Sequence, residues 1–382
     1  MKKRANIICL VVLVLALSIS LLLAGCTARD DRTQTKAGVL LPLSGTYEKE
    51  GNYILSGIMA EANESGSGIE YIIRDTGGDP ETALEEIRKL HSSGIDLIIG
   101  PLTEDEITNV IGFAGENDMI LLLPFENSTD LPDERGTVYR ISPGHRGEIF
   151  AVSGLINDLS PGSPVILVIH EGSDAELEKI PHFGNYTSLN IRLLNYLHED
   201  LDYYLATSGA PEIAVWTGSP VNGSEAVKTI REYGPDTAII LSESSASNLF
   251  TENAGSYAEG VYGIEYPGGL SEEIMYEYYG HDTAMVLEEA LAGGADTIPE
   301  IREELDRNIV TGYTGVKYFR DGSTAPPYYI IIKVENGTWV KDDEYSARLM
   351  ARISAVYGGA LEFDPLLNDD HARLPLPHGI YD

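Results

Sequence analysis

Three consecutive acids, Glu104, Asp105 and Glu106, follow an apolar run in the stretch DLIIGPLTEDEITNV at residues 96–110. Carboxylates at the end of a buried strand could bind a cationic or strongly hydrogen-bond-donating ligand. The same acids could instead begin a helix, because Thr103 followed three residues later by a Glu is the pattern of a capping box. Negative charge in a first helical turn offsets the helix dipole by about 0.3 to 1 kcal/mol per group. Both interpretations remain open at this point.

The sequence contains no pattern typical of catalysis. It has neither a GxSxG elbow nor a glycine-rich phosphate loop. His145, His281, Asp282, Glu104 and Glu126 could in principle converge on a metal, but no close His or Cys spacing supports such a site. We therefore expect a protein that is not an enzyme and that has no cofactor and no metal.

The first residues predict export. Three cations at residues 2–4 precede an apolar segment at 7–23, which ends in LAGC. A plain transmembrane anchor is the alternative, since the segment approaches the length of a bilayer span. The small residues before Cys26 resemble the lipobox of secreted lipoproteins. We expect a signal peptide at 1–25, lipidation of the Cys26 thiol, and a polar tether at 26–35.

Charge and cysteine content limit the partners that the protein can bind and the bonds that can stabilise its fold. The net charge of −34 repels nucleic acid and anionic lipid, so we expect no nucleic-acid partner. If Cys9 leaves with the signal peptide and Cys26 is acylated, no internal disulfide can form. The fold must then depend on a core, and 382 residues with 43% hydrophobic content are enough for two ordinary domains.

Past the tether, short apolar runs alternate with turns and amphipathic segments. Runs that are apolar on both faces are typical of parallel strands between two helix layers. They occupy residues 37–43, 69–75, 96–101, 119–125, 164–170, 212–218 and 237–244. Between them, Asp79 can cap a helix that begins at Pro80 and whose apolar stripe consists of Ala83, Leu84, Ile87 and Leu90. The sequence predicts an α/β fold.

The order of the motifs resembles that of a known family. GVLLPLSG, RDTGGDPETALEEIRKL, DLIIGP, AGENDMILLLP and YRISPG are followed by VILVIHE, PEIAVWTGSPVNGSEAVKTIREYG, AEGVYGIEYP, HDTAMVLEEALAGG and TGVKYFRDGSTAPPYYIIIKVENGTWV. Over residues 37–340 this succession is similar to the type 1 periplasmic binding proteins, the family of the leucine/isoleucine/valine receptors of ABC transporters. The second lobe is shorter than is usual for the family.

The resemblance implies two doubly wound, Rossmann-like lobes that are joined by three crossovers and close on a small ligand. We place the crossovers near residues 140–143, 260–267 and 319–328. Lobe one would contain 36–142 and 265–322. Lobe two would contain 143–264 and 328–360, with one strand from Tyr328 to Val340 and a possible helix in ARLMARISAVYGG. Residues 361–382 would form a C-terminal extension.

In such sheets ligands contact the loops at the carboxyl ends of strands. Together with the resemblance, this rule gives ten candidate ligand-binding residues: Ser44, Thr103, Glu104, Glu126, Asn127, Ser128, His145, Trp216, Glu243 and His281. Where the family usually holds a ligand carboxylate with hydroxyls, this chain has Glu104, or Thr103 if the loop shifts by one. His145 replaces the acid that follows the first crossover.

Each candidate also has a structural interpretation. Glu104 and Glu126 would face a cationic ligand, or Glu104 would point to solvent and Glu126 would lie at the rim. Trp216 would form a ligand wall or pack in the core, and His281 would be a cleft residue or a helix cap. The function implied is an extracytoplasmic lipoprotein that binds a small polar molecule and delivers it to an ABC permease, and we expect it to be a monomer. A ligand sensor for a membrane signalling partner and a non-binding structural lipoprotein are the alternatives.

Overall fold

The computed structural model describes residues 35–126, 136–162, 164–173, 176–177, 179, 190–265, 272–319 and 329–357. Several predictions lie outside the described residues: the signal peptide, Cys26, the tether, Asn127, Ser128 and the C-terminal extension at 361–382.

The first sheet consists of five parallel strands in the order β2-β1-β3-β4-β5. Their bounds are β1 Lys36–Leu41, β2 Glu70–Asp75, β3 Leu97–Ile99, β4 Ile120–Leu123 and β5 Val138–Arg140. Four of them coincide with apolar runs of the sequence, and the short β5 was not predicted. The chain order reverses at β1, and this is the point at which a doubly wound sheet opens a crevice at its carboxyl edge.

The second sheet has seven strands in the order β14-β13-β10-β9-β8-β6-β7. Their bounds are β6 Val165–His170, β7 Asn190–Asn195, β8 Ile213–Trp216, β9 Ala238–Leu241, β10 Tyr262–Glu265, β13 Ile330–Glu335 and β14 Thr338–Lys341. Strands β6 to β10 pair in parallel, whereas β13 and β14 are antiparallel to their neighbours. The separate hairpin of β11 Val310–Gly312 and β12 Gly315–Lys317 completes the strands.

The prediction of one strand from Tyr328 to Val340 was wrong. The segment forms the two strands β13 and β14, joined at Asn336 and Gly337. Both turn residues have positive φ, 54° and 78°, which is the conformation that a two-residue hairpin turn requires.

Ten α-helices surround the two sheets in the described part of the chain. Their bounds are α1 Glu48–Ser65, α2 Pro80–Ser92, α3 Glu104–Glu116, α4 Gly144–Leu159, α5 Leu201–Ser208, α6 Pro220–Tyr233, α7 Asn248–Ala254, α8 Glu272–Ala292, α9 Ile298–Arg307 and α10 Asp343–Tyr357. Helix α2 begins as predicted, with the Asp79 carboxylate accepting from the Thr82 N–H and with Pro80 in the first turn. Helix α10 forms in the segment where a helix was considered possible. No helix in the described ranges has both the length and the hydropathy that a membrane span needs.

Helices α1 and α8 approach each other unusually closely, and two glycines permit this. A Cβ at Gly57 would lie 1.9 Å from the Glu277 carbonyl oxygen, and a Cβ at Gly280 would lie 2.1 Å from the Ile54 carbonyl oxygen. Any larger residue at either position would push the helices apart. The close approach fixes the side chains that follow each glycine relative to the other helix.

Candidate functional site

The carboxyl end of β1 is held by an acid at the end of β2. Asp75 Oδ1 accepts hydrogen bonds from the backbone N–H groups of Leu43 and Gly77, at 2.8 and 2.9 Å. Burial raises the pKa of Asp75, but the hydrogen bonds from Gly77, Ser44 and Leu43 outweigh it and hold the pKa below its usual range. The predicted ligand residue Ser44 is exposed on this loop, at the mouth of the crevice.

The acids of the GPLTEDE stretch begin a helix, as the capping box predicted. The Thr103 hydroxyl accepts from the Glu106 N–H at 3.3 Å and donates to Glu106 Oε2 at 2.8 Å, and the Thr103 N–H donates to the same oxygen at 2.9 Å. The hydroxyl of Thr103 is therefore already engaged within the helix end. Glu104 is exposed in the first turn, and its role in ligand binding remains a prediction.

Glu126 does not lie at the rim, so that alternative was wrong. The Glu126 carboxylate forms an ion pair with Arg140 Nε at 3.1 Å, and the two side chains are only 2% and 3% exposed. The Ser142 hydroxyl bridges the backbone of Glu126, accepting from its N–H and donating to its carbonyl. The charge of Glu126 is thus balanced by Arg140, a residue that sequence reasoning missed as a partner.

Trp216 packs inside lobe two. It is 1% exposed, its indole N–H donates to the Ser219 carbonyl at 3.0 Å, and its ring meets Tyr196 edge-on at 5.1 Å. Gly223 lies so close that a Cβ there would be 2.7 Å from the indole nitrogen. The structure therefore places Trp216 in the core, in agreement with the packing interpretation.

Nearby, an acid at the end of β6 fixes the start of α6. The Glu171 carboxylate accepts hydrogen bonds from the backbone N–H and hydroxyl of Ser219, both at 2.9 Å, and from the Asn222 amide at 2.5 Å. These bonds shape the carboxyl edge of the second sheet.

A second buried ion pair includes a residue near the start of α4. Glu148 Oε2 lies 2.6 Å from Lys179 Nζ, and both side chains are buried. Glu148 Oε1 accepts from the backbone N–H of Glu243 at 3.3 Å, which ties α4 to the end of β9. The predicted residues His145 and Glu243 are half-buried beside this pair. Sequence reasoning selected His145 and missed Glu148, although Glu148 lies one helical turn further along.

Comparisons with known proteins agree with this architecture. Residues 34–168 match the model of the family described as periplasmic binding protein. The leucine-binding protein LivK of Thermotoga maritima has 18% identity and a TM-score of 0.56, with 81% of this chain and 97% of that chain covered. An ABC transporter substrate-binding protein of Sphaerobacter thermophilus has 18% identity and a TM-score of 0.60, with 80% and 96% covered.

The chain has the fold of the type 1 periplasmic binding proteins.

A further structure shares this fold. The branched-chain amino acid substrate-binding protein LivJ of Streptococcus pneumoniae, in complex with isoleucine, has 16% identity and a TM-score of 0.51, with 81% of this chain and 100% of that chain covered. An uncharacterized protein of Methanocaldococcus jannaschii is 25% identical over 169 residues, which are 38% of this chain. The match spans 40% of that relative's length.

His281 lies inside helix α8, so the interpretation as a helix cap was wrong. The residue is 8% exposed, and its ring meets the ring of Tyr313 edge-on at 4.5 Å. Its Nε2 lies 2.8 Å from Glu61 Oε2 on helix α1. In the described residues, Glu61, Glu64 and His281 form a group whose ligand atoms all lie within 4.8 Å of one another, so these residues could hold a metal.

The neighbouring residue Asp282 has a structural role, since its carboxylate binds the β11–β12 hairpin. Its carboxylate accepts from the backbone N–H groups of Tyr313 and Thr314, at 2.7 and 2.9 Å, and from the Thr314 hydroxyl at 2.5 Å. Lys317 Nζ lies 3.2 Å away, and both side chains are fully buried. Burial lowers the pKa of Lys317, and the charge of Asp282 partly restores it. Asp282 thus anchors the β11–β12 hairpin to α8.

Proposed function

We propose that this chain is an extracytoplasmic solute-binding lipoprotein of an ABC transporter. It binds a small polar ligand between its two lobes and delivers it to a permease. Ligand contacts from both lobes favour the closed state, and the permease recognises that shape. Cys26 carries the lipid that keeps the protein, as a monomer, at the outer face of the cytoplasmic membrane.

One observation carries the proposal: both sheets present polar side chains at the carboxyl edges of their parallel strands, in a fold that 81% of this chain shares with a substrate-binding protein. Ser44 and Glu104 are exposed at the edge of the first sheet, and His145 and Glu243 are half-buried at the edge of the second. Parallel sheets bind their ligands at this edge.

The ligand class follows from the charged side chains at the carboxyl edges of the two sheets. Thr103 is engaged in its capping box, and Glu126 is neutralised by Arg140. A ligand carboxylate placed near Glu104 would be repelled, since like charges at about 4 Å cost several kcal/mol once water is partly excluded. We infer that the ligand is an amino acid in an unusual pose, an amide or a cationic analogue, oriented by Glu104 and Glu243. No chemistry is performed on it.

A second candidate is a structural lipoprotein that binds no solute. It is favoured by the engagement of Thr103, Glu126 and Trp216 within the protein, because these were three of the residues selected as ligand contacts. A ligand sensor for a membrane signalling partner would share the binding site and differ only in its partner.

A thermal-shift screen of the full chain in mild detergent separates these functions. The panel contains branched and polar amino acids, amides, short peptides, betaine and polyamines. Each solute is tested on the wild type, on Glu104→Gln in lobe one and on Glu243→Gln in lobe two. Asp105→Asn is the matched control, because it removes the same charge from the same helical turn.

A ligand at 100 times its dissociation constant adds about 2.7 kcal/mol of stability, which corresponds to a few degrees in a protein of this size. The proposal predicts that at least one solute shifts the wild type and Asp105→Asn and shifts both Glu variants less. A solute that shifts all four proteins equally would leave the receptor function intact and remove Glu104 and Glu243 from the site. No shift with any solute would favour the structural lipoprotein.

A further inference from the structure

A cluster of metal-ligand side chains lies between α1 and α8, away from the residues described at the carboxyl edges. Glu61 and Glu64 stand one helical turn apart on α1, and His281 projects from α8. His281 Nε2 lies 2.8 Å from Glu61 Oε2 and 3.9 Å from Glu64 Oε2. The three ligand atoms therefore lie within 4.8 Å of one another.

The imidazole of His281 is buried and makes no hydrogen bond within the described part of the chain. Its side chain is 10% exposed, and neither ring nitrogen has a hydrogen-bond partner there. Nε2 is near the Glu61 carboxylate, but the two groups are not aligned for a hydrogen bond. A buried polar atom without a hydrogen-bond partner costs about 1 to 3 kcal/mol, and here Nε2 lies close to two carboxylates. A cation between these groups would satisfy all of them.

The charge around Glu61 is unbalanced. Glu61 lies among three further acids, Glu64 on α1 and Asp282 and Glu288 on α8. The Ser67 hydroxyl donates a hydrogen bond to Glu288 Oε1 at 2.9 Å. Gathered carboxylates beside an imidazole form a ligand set that suits a first-row divalent cation.

The position of the cluster is fixed by the helix packing. Gly57 and Gly280 allow the close approach of α1 and α8. Glu61 and Glu64 follow Gly57 by one and two helical turns, and His281 is the residue directly after Gly280. A small cavity of about 30 Å³ lies beside Glu64, His281 and Tyr313. It has room for one or two waters, which could complete the coordination.

From this geometry we propose that Glu61, Glu64 and His281 form a binding site for one first-row divalent cation of the Zn²⁺ type. Two ligands of one metal with bonds of about 2.0 to 2.2 Å stand about 3 Å apart, which matches the pair of Glu61 and His281. The Glu64 side chain is 62% exposed and is free to close the remaining distance. The imidazole favours Zn²⁺ over Mg²⁺ and Ca²⁺, which prefer oxygen ligands only. Such an ion would staple α1 to α8 in lobe one, and this inference does not depend on the proposed function.

The test is metal binding by the full chain, purified in mild detergent and treated with a chelator that is then removed. Zn²⁺ is titrated in competition with a chromophoric chelator, at about 0.15 M salt and with excess Mg²⁺ to occupy the many surface acids. Variants are Glu64→Gln and His281→Gln. The matched controls are Glu85→Gln, an exposed helical acid, and His91→Gln, which pairs with Asp96 at 2.6 Å on the far end of α2.

We expect about one Zn²⁺ per wild-type chain and per control chain, and binding at least about tenfold weaker in Glu64→Gln and His281→Gln. Glu64 is exposed, so Glu64→Gln should fold even if His281→Gln does not. Co²⁺ gives a second readout, because its visible absorption should report an imidazole ligand in the wild type and change in His281→Gln. The inference is overturned if the wild type binds no Zn²⁺, or if the two site variants bind Zn²⁺ as tightly as the controls do.

Discussion

The buried pair of Glu126 and Arg140 gives the sharpest prediction. Replacing Glu126 by Gln removes the carboxylate charge and leaves the guanidinium at nearly the same depth. At 3.1 Å and an effective dielectric constant of about 20, the lost attraction is about 5 kcal/mol. Breaking a buried pair by removing one partner typically costs about 3 to 5 kcal/mol. The Ser142 bonds go to the Glu126 backbone, so the substitution leaves them intact.

The assay is urea unfolding of the wild type and variants, followed by circular dichroism. We expect Glu126→Gln to lose about 3 to 5 kcal/mol of unfolding free energy. Glu104→Gln is the matched control, because Glu104 is an exposed acid in a first helical turn, and its loss should cost only about 0.3 to 1 kcal/mol. The double variant Glu126→Leu/Arg140→Met should be more stable than Glu126→Gln, since apolar residues of similar volume often replace a buried pair without loss.

The reasoning is refuted if Glu126→Gln costs less than about 1 kcal/mol, or if the effects at the two positions simply add. A small stability loss combined with lost solute binding would show instead that Glu126 serves the ligand.

Three other substitutions test the account of the fold. Asp282→Asn should lower the unfolding free energy by about 3 to 5 kcal/mol, because it leaves the buried ammonium of Lys317 without its counter-charge. Thermal unfolding measures this loss, and a loss under about 1 kcal/mol would contradict the prediction. Gly57→Ala should destabilise by about 1 to 3 kcal/mol through overpacking of α1 on α8. Gly112→Ala is its matched control, because nothing lies within 4 Å of a Cβ there; it should stabilise α3 by up to about 1 kcal/mol, and equal effects at the two glycines would refute the close packing. The pKa of Asp75 is lowered in the folded state, so its stabilising effect is full above the ordinary value of 3.8 and is lost as the pH falls through the folded pKa. Acid titrations should therefore show a shallower loss of stability in Asp75→Asn than in the wild type, and identical acid profiles would contradict this.

Local patterns in the sequence predicted much of the fold. Continuous apolar runs identified β1 to β4, β6, β8 and β9, because a strand buried on both faces needs no long-range information to be seen. The capping box at Thr103 and Glu106 is likewise a local pattern, and the structure forms both of its hydrogen bonds. The Asn336-Gly337 turn was visible in the sequence as the strongest hairpin signal, yet it was overlooked in favour of one long strand.

Partners that depend on the tertiary fold could not be predicted. Glu126 meets Arg140 only because β4 and β5 are neighbours in the sheet, and their spacing in the sequence gives no sign of it. His281 meets Glu61 across two helices that are far apart in the chain. Burial decides the role of Trp216, and a strand-end position alone does not distinguish a ligand wall from a core residue.

The most direct test of solute binding between the lobes is a crystal structure of the chain with the solute that gives the largest thermal shift. The account predicts one solute molecule held between the carboxyl edges of the two sheets, with contacts to Glu104 from the first lobe and to Glu243 from the second. A solute bound elsewhere, or held by one lobe alone, would contradict it.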